Sequence, residues 1–362
     1  MLLMFGQENE MSIPYYSKNN YYFLSSRNQT DDYSHTKTAE IDMTLSGKYL
    51  GKYPVFHFDK CYFDCYSSDY VKALIAMIRR KWTISSEIII GAGSNGILQN
   101  LVKLFFSRGG NLVTPFYTFH QAEYAVTALN GITRRVFMDE EKINFDYLIN
   151  SVDQDTKMIY ICNPNNPTGV YVDTALLLSS LTKVDNTIPI VIDESGIEFT
   201  GCKSCLDYSL PSNVFVLRSF SKAFGLANLR VGYMCCSEKM ANLYRERITI
   251  NEVSGISCYG VMQCLMDDFY LDNVRKIIYQ RQVLIRGLNA LGILTYESDS
   301  NTILTRTSFE CEIFRYLEEK NVSVIKVMDL EKQIHMRIAV QDGQTNKRFL
   351  LILEEAMQRF SW

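Results

Sequence analysis

Between residues 88 and 236 the chain repeats one pattern. A short, mostly apolar run is followed by a turn and, in several connections, by a helical stretch. The runs are 88–90, 112–114, 134–138, 158–162, 188–192, 214–217 and 231–236. Short apolar runs bounded by turn residues are the pattern of strands buried on both faces. Strands alternating with helices predict an α/β fold with a mostly parallel seven-stranded sheet and helices on both faces. Such sheets bind ligands at the carboxyl ends of their strands. The residues that follow each run are therefore the first candidates for chemistry.

The stretch SFSKAFGLANLR, 219–230, follows one of these runs. Phe224 and Leu226 flank Gly225, so Lys222 leaves the strand into a crowded, partly dry place. Desolvation disfavours an ammonium and makes a lysine a usable nucleophile. Ser219, Ser221 and Arg230 suit an anion with several oxygens, such as a phosphate. A reactive amine beside a phosphate cradle is what a pyridoxal-phosphate Schiff base requires. Taken alone, SxSK is also the pattern of a solvated lysine after a strand.

Three other turns fall in similar places. Gly91, Gly93 and Gly96 spell GxGxxG between a strand run and a helix with Ile97, Leu98, Leu101 and Phe105 on one face. A dinucleotide fingerprint also wants an acid about 20 positions on to hold a ribose. The following segment, 112–122, has no acid before Glu123, which weakens that reading. What remains is a glycine turn whose backbone N–H groups, at a helix N-terminus, can meet a phosphate. NPNNPTG, 163–169, is a tight polar loop after the fourth run. Asp193 ends the fifth run, where an acid is costly unless paired, and a pyridinium N–H is a suitable partner.

These segments together resemble the class I/II aminotransferases, in particular the histidinol-phosphate aminotransferase and threonine-phosphate decarboxylase branch. The resemblance runs in the family's order from Tyr62 to Arg337. It implies a fold-type-I pyridoxal 5'-phosphate enzyme. A large cofactor-binding domain is expected over 61–250, and a smaller α+β domain from 1–60 with 251–362. It implies that Lys222 holds the cofactor covalently and then acts as base on the substrate Cα–H, with Asp193 on the ring nitrogen. Ser94, Asn95, Ser219, Ser221 and Arg230 are implied at the cofactor phosphate, and Asn166 at the ring oxygen. Tyr117 is implied as the ring stacked on the cofactor, and Arg337 as the receiver of a substrate carboxylate or phosphate. Tyr62, in Tyr62-Phe63-Asp64, is implied to reach the cofactor phosphate of a neighbouring subunit, so a homodimer is expected. Outside the resemblance, Tyr62 and Tyr117 also fit tyrosines packed beside turns, and Arg337 fits a surface arginine on a strand.

The implied reaction is amino transfer between an amino acid and a small oxo compound, phosphorylated or not. Decarboxylation of a phosphorylated amino acid uses the same cofactor and is the alternative. A cofactor-binding regulator would need a DNA-binding module, and the upstream segment has no helix-turn-helix pattern or basic cluster. An acyl-transferring oxoamine synthase shares the fold, but the Lys222–Arg230 spacing and NPNNPTG favour the aminotransferase branch. Two departures stand out. The segment 41–54 lacks the family's asparagine–proline motif, and Gly196 replaces a tyrosine that donates to the cofactor's ring oxygen.

Composition excludes other classes. A net charge of -3 argues against nucleic acid or an anionic membrane as partner. No apolar run reaches the ~18 residues of a spanning helix, and MLLMFGQENE lacks a signal peptide's basic and apolar regions. A cytoplasmic protein is the expectation. The ten cysteines are scattered. Cys202 with Cys205, and Cys61 with Cys65, have spacings that admit zinc. Reduced, mostly buried thiols fit better, since Cys235 and Cys236 fall in a strand run. No metal is expected.

Overall fold

The structure is a computed structural model that describes residues 21–23, 39–44, 47, 50, 55–59, 61–139, 142–248, 252–329 and 331–360. Most of segment 1–60 lies outside these residues, including the larger part of 41–54, and so do residues 249–251.

The described chain holds fifteen strands and ten helices. In chain order the strands begin with β1 (Tyr21–Phe23), β2 (Ile41–Asp42), β3 (Glu87–Gly91), β4 (Asn111–Pro115) and β5 (Ile132–Val136). Then come β6 (Met138–Asp139), β7 (Lys142–Ile143), β8 (Thr156–Cys162), β9 (Ile190–Asp193) and β10 (Val214–Ser219). The last are β11 (Gly232–Cys236), β12 (Thr302–Ser308), β13 (Val322–Ser323), β14 (Ile325–Asp329) and β15 (Ile334–Ala339). The helices that matter below are α1 (Ser68–Trp82), α2 (Gly93–Phe105) and α3 (Gln121–Ala128).

The principal sheet has seven strands in the order β3-β11-β10-β9-β8-β4-β5. Side chains of its central strands alternate between two cores. Ile159, Ile161, Ile190, Ile192, Val214 and Val216 enter one cluster. Met158, Tyr160, Cys162, Val191, Phe215 and Leu217 enter the other. This is the period of two of a strand covered on both faces, and it explains why the runs read as continuously apolar.

Pairs β10–β9, β9–β8, β8–β4 and β4–β5 are parallel. Strand β11 departs from the mostly parallel pattern, running antiparallel to both β10 and β3. The link from β10 to β11 holds only the short 3-10 turn Ala227–Leu229. A parallel return needs a crossover that runs the full length of the sheet, usually on a helix. The reversal has a consequence for the site. It puts the start of β11 beside the end of β10, with Ser219 opposite Gly232 and Gly232 opposite Gly91.

A second sheet of four strands, β1-β14-β15-β12, is antiparallel throughout. Two small ladders, β2–β13 and β6–β7, complete the strands. Among the described residues, no helix is long and apolar enough to cross a membrane.

Candidate active site

Five strands of the principal sheet, β3, β4, β8, β9 and β10, end in Gly91, Pro115, Cys162, Asp193 and Ser219. Above their carboxyl ends lies a cavity of about 310 Å³. Of the residues singled out from sequence, Ser94, Asn95, Asn166, Asp193, Ser219, Ser221, Lys222, Arg230 and Arg337 line it together.

One end of the cavity is built by close approach. At Gly232, an added Cβ would lie 2.4 Å from Ser94 N, so the glycine lets β11 meet the first turn of α2. Gly93 has a φ of +74°, and its missing side chain leaves the space that the Arg230 guanidinium fills, with Nη2 2.7 Å from where a Cβ would sit. Arg230 itself is held at a left-handed φ of 52°. A non-glycine residue in that region is strained, and such strain gathers at ligand sites. The first backbone N–H groups of α2 have no partner within the helix, and Ser94 and Asn95 of that turn line the cavity. Ser219 Oγ accepts from Ser221 N at 3.1 Å, which leaves its own proton to donate.

The opposite end is anchored by Asp193, 4% exposed. Its Oδ1 accepts from Ser195 N at 2.9 Å and Ser195 Oγ at 2.5 Å. Its Oδ2 accepts from the Tyr160 hydroxyl at 3.1 Å. Burial, then the carboxylate's charge, holds that phenol well above the usual tyrosine range, so it stays a donor. Lys222 sits between the two ends and makes no ion pair among the described residues. The loop after Asp193 is pinned from below. Arg218 donates to Glu198 Oε1 at 2.7 Å and lies 3.5 Å from Glu194 Oε2. Glu194 also accepts from Cys205 N at 2.7 Å and from the Ser204 hydroxyl.

On the far wall Arg337 is buried on β15, between Leu304 of β12 and Ile325 of β14. Its Nε has no partner, and no carboxylate pairs with the side chain among the described residues. Burial alone lowers its pKa to about 10, so it remains a cation at neutral pH.

Two expected residues lie elsewhere. Tyr117 does not line the cavity. It falls in the bend after Pro115, and its ring is buried in the core against Phe116, with centroids 4.8 Å apart. Phe119 and His120, at the start of α3, form that part of the wall instead. Tyr62 is 72% exposed and outside the cavity of its own chain.

The sequence reading missed Phe119, His120, Cys162, Ser195 and Ile325, all of which line the cavity. Cys162 and Ser195 adjoin motifs that were read, so adjacency was their available signal. Burial pushes the His120 imidazole below its usual range; Glu123 opposes this, and Arg135 and Arg337 add to it. Burial and Asp193 push the Cys162 thiol to about 12, which leaves it unreactive. Gly196 has an ordinary φ of -126°, and a Cβ there would meet Pro164 at 3.6 Å, so the backbone does not demand glycine. Among the described residues no three His, Cys, Asp or Glu side chains gather as metal ligands. Cys202 is exposed and Cys205 buried.

The sequence profile described as aminotransferase class I and II matches residues 17–352. The chain belongs to the class I and II aminotransferases. It is therefore a pyridoxal-phosphate-dependent aminotransferase of fold type I. Histidinol-phosphate aminotransferase of Pelagibacter ubique is 30% identical over 305 residues, covering 80% of this chain and 83% of that one. The enzyme of the same name from Staphylococcus carnosus is 31% identical, covering 74% and 76%. Among solved structures, histidinol-phosphate aminotransferase of Sinorhizobium meliloti with pyridoxal-5'-phosphate has a TM-score of 0.81 at 21% identity, covering 89% and 92%. L-threonine-O-3-phosphate decarboxylase of Porphyromonas gingivalis has a TM-score of 0.72 at 20% identity, covering 88% and 99%.

The donor set of this aminotransferase fits its cofactor. Hydroxyls, helix N–H groups and a guanidinium meet at one end, and a buried carboxylate stands at the other. The Asn166 side chain also lines the cavity, and its Nδ2 amide can donate to a ring oxygen. A bidentate, charge-assisted contact is worth roughly 1.5–3 kcal/mol. Arg230→Ala is therefore expected to weaken pyridoxal-phosphate binding about tenfold to a hundredfold. Equilibrium dialysis of the cofactor-free protein measures this, and parental affinity would place the phosphate elsewhere.

Proposed function

We propose that Lys222, Asp193 and Arg337 carry amino transfer between an amino acid and a small, phosphorylated oxo compound. The observation that carries this reading is the Arg337 guanidinium, buried, unpaired and facing the cavity that holds Lys222. An unpaired buried cation is costly, and a substrate carboxylate or phosphate offsets that cost. The names of the relatives above support a phosphorylated substrate.

When bound, pyridoxal phosphate supplies an aldehyde that captures amines and a ring that takes up electrons. Asp193 holds a proton at the ring nitrogen. Asn166 donates to the ring oxygen, and Ser94, Asn95, Ser219, Ser221 and Arg230 hold the phosphate. Phe119 and His120 take the stacking role expected of Tyr117. Lys222 provides the covalent amine and moves the proton at the substrate Cα. Arg337 would pair with the substrate anion and hold the substrate in the cavity beside Lys222.

Residues 61–250 form the cofactor domain in this reading, and 1–60 with 251–362 the smaller one. Val55, Tyr62, Phe63 and Tyr66 are each more than 70% exposed in the single chain. A second copy covers this apolar strip, and Tyr62 reaches the partner's cavity. The working compartment is the cytoplasm.

The test follows the bound cofactor's absorbance, from aldehyde to amine form, as candidate amino acids are added. Arg337→Ala should raise the half-saturating concentration about tenfold to a hundredfold, the worth of a charged hydrogen bond. Arg337→Lys should recover part of it. Carbon dioxide released in step with turnover, with no amine form, would replace this reading with decarboxylation.

A further inference from the structure

Asp193 sits where its lone pairs can be counted. An ionised carboxylate has about four acceptor sites, two on each oxygen. Oδ1 takes Ser195 N at 2.9 Å and Ser195 Oγ at 2.5 Å, so it is full. Oδ2 takes the Tyr160 hydroxyl at 3.1 Å, so one site remains.

Ser195 Oγ also lies 3.0 Å from Ser94 Oγ. A serine hydroxyl has one proton. Ser195 Oγ is the donor in both contacts, and its one proton goes to Asp193 at 2.5 Å rather than to Ser94 at 3.0 Å, because the carboxylate is the stronger and nearer acceptor. Ser195 thus stands between Ser94, at the first turn of α2, and Asp193. It joins the phosphate corner of the cavity to the ring-nitrogen end.

We propose that Ser195 is a positioning residue that fills Asp193 Oδ1 and leaves a single Oδ2 lone pair to receive the cofactor's ring N–H. The inference rests on Asp193 being the partner of that nitrogen. Ser195 turns the carboxylate and holds it turned before the cofactor arrives. Tyr160 does the same from the other oxygen. With both guides in place the ring has one acceptor and one orientation.

Ser195→Ala removes one oxygen and adds no bulk. It opens a second acceptor site on Oδ1 and lets the carboxylate rotate. Visible circular dichroism per bound cofactor reads the ring's orientation and should fall. Pyridoxal lacks the phosphate and isolates the ring end. Its affinity should drop by the fraction of time the carboxylate spends misaligned, roughly twofold to fivefold. Pyridoxal phosphate should lose less, because its phosphate is held independently of Asp193. Ser195→Thr keeps the hydroxyl and should restore the dichroism, and adding Tyr160→Phe to Ser195→Ala should deepen the loss. A purely structural serine would change the melting temperature of the cofactor-free protein and leave the dichroism per bound cofactor unchanged. Parental dichroism and parental pyridoxal affinity in Ser195→Ala overturn the proposal. Asp193→Ala separates the two claims. If it too binds pyridoxal as the parent does, the assignment of Asp193 falls. If it binds weakly while Ser195→Ala is parental, only the role of Ser195 falls.

Discussion

Lys222→Ala is expected to leave a folded protein that still takes up pyridoxal phosphate and transfers amino groups at least about a hundredfold more slowly. Lys222 makes no ion pair among the described residues, so its removal strands no buried charge. The groups at both ends of the cavity remain, and with them the non-covalent hold on the cofactor. What is lost is the amine that bonds to the aldehyde and the base that moves the Cα proton. A positioned base alone contributes about a hundredfold to ten-thousandfold, which sets the lower bound. Borohydride reduction followed by tryptic mapping reads the covalent part separately. Trypsin does not cut at a modified lysine, so the adduct should travel on 219–230, the peptide between Arg218 and the cut after Arg230. The variant should show no adduct there. An adduct on another lysine in the parent, or parental turnover in the variant, would falsify the assignment of Lys222.

Why Lys222 could be read from sequence, and Ser195 could not, is a matter of which interactions are local. Strand runs such as 158–162 are apolar because both faces of the sheet are covered, and that pattern is written in consecutive residues. The turns after them carry the site, so NPNNPTG, Asp193 and 219–230 could be placed at strand ends before any coordinates. The direction of β11 was not legible, because an apolar run has no sense of direction. The length of the 220–231 link was the available clue. Tyr117, the ring the resemblance implies at the cofactor, is buried against Phe116 and does not line the cavity, and a sequence does not tell which ring of a bend turns inward. Phe119 and His120 face the cavity because α3 begins there. Pairings between distant segments were invisible for another reason. Arg218 and Glu198 are twenty residues apart on separate elements, and only the sheet brings them together.

That pairing makes the second large prediction. Arg218→Met is expected to cost roughly 3–5 kcal/mol of stability, because one partner of a buried ionic cluster is removed and the others stay. Arg218 is buried between Glu194 and Glu198. Burial opposes its charge, but Tyr233, Glu198 and Glu194 more than offset this and hold it above the usual arginine value. Burial raises Glu194 above the usual carboxylate range, and Arg218, the Cys205 N–H and the Ser204 hydroxyl oppose that rise. Without Arg218 the largest opposing influence is gone, and Glu194 rises further. A carboxyl raised above its unfolded value takes up a proton on folding. Stability is then greatest below the unfolded value, about 4.3 for glutamate, and is lost as pH rises through the folded value. The deficit of Arg218→Met, read from urea unfolding, should accordingly be larger at pH 8 than at pH 5.5. Neutralising the whole cluster, as Arg218→Met with Glu194→Gln and Glu198→Gln, should recover most of it, since apolar or neutral replacements of a buried ionic set are often near neutral. Cofactor affinity gives a second readout, because the 194–199 turn that Arg218 pins begins at Asp193. An equal deficit at both pH values would mean that uncompensated carboxylates are not its cause.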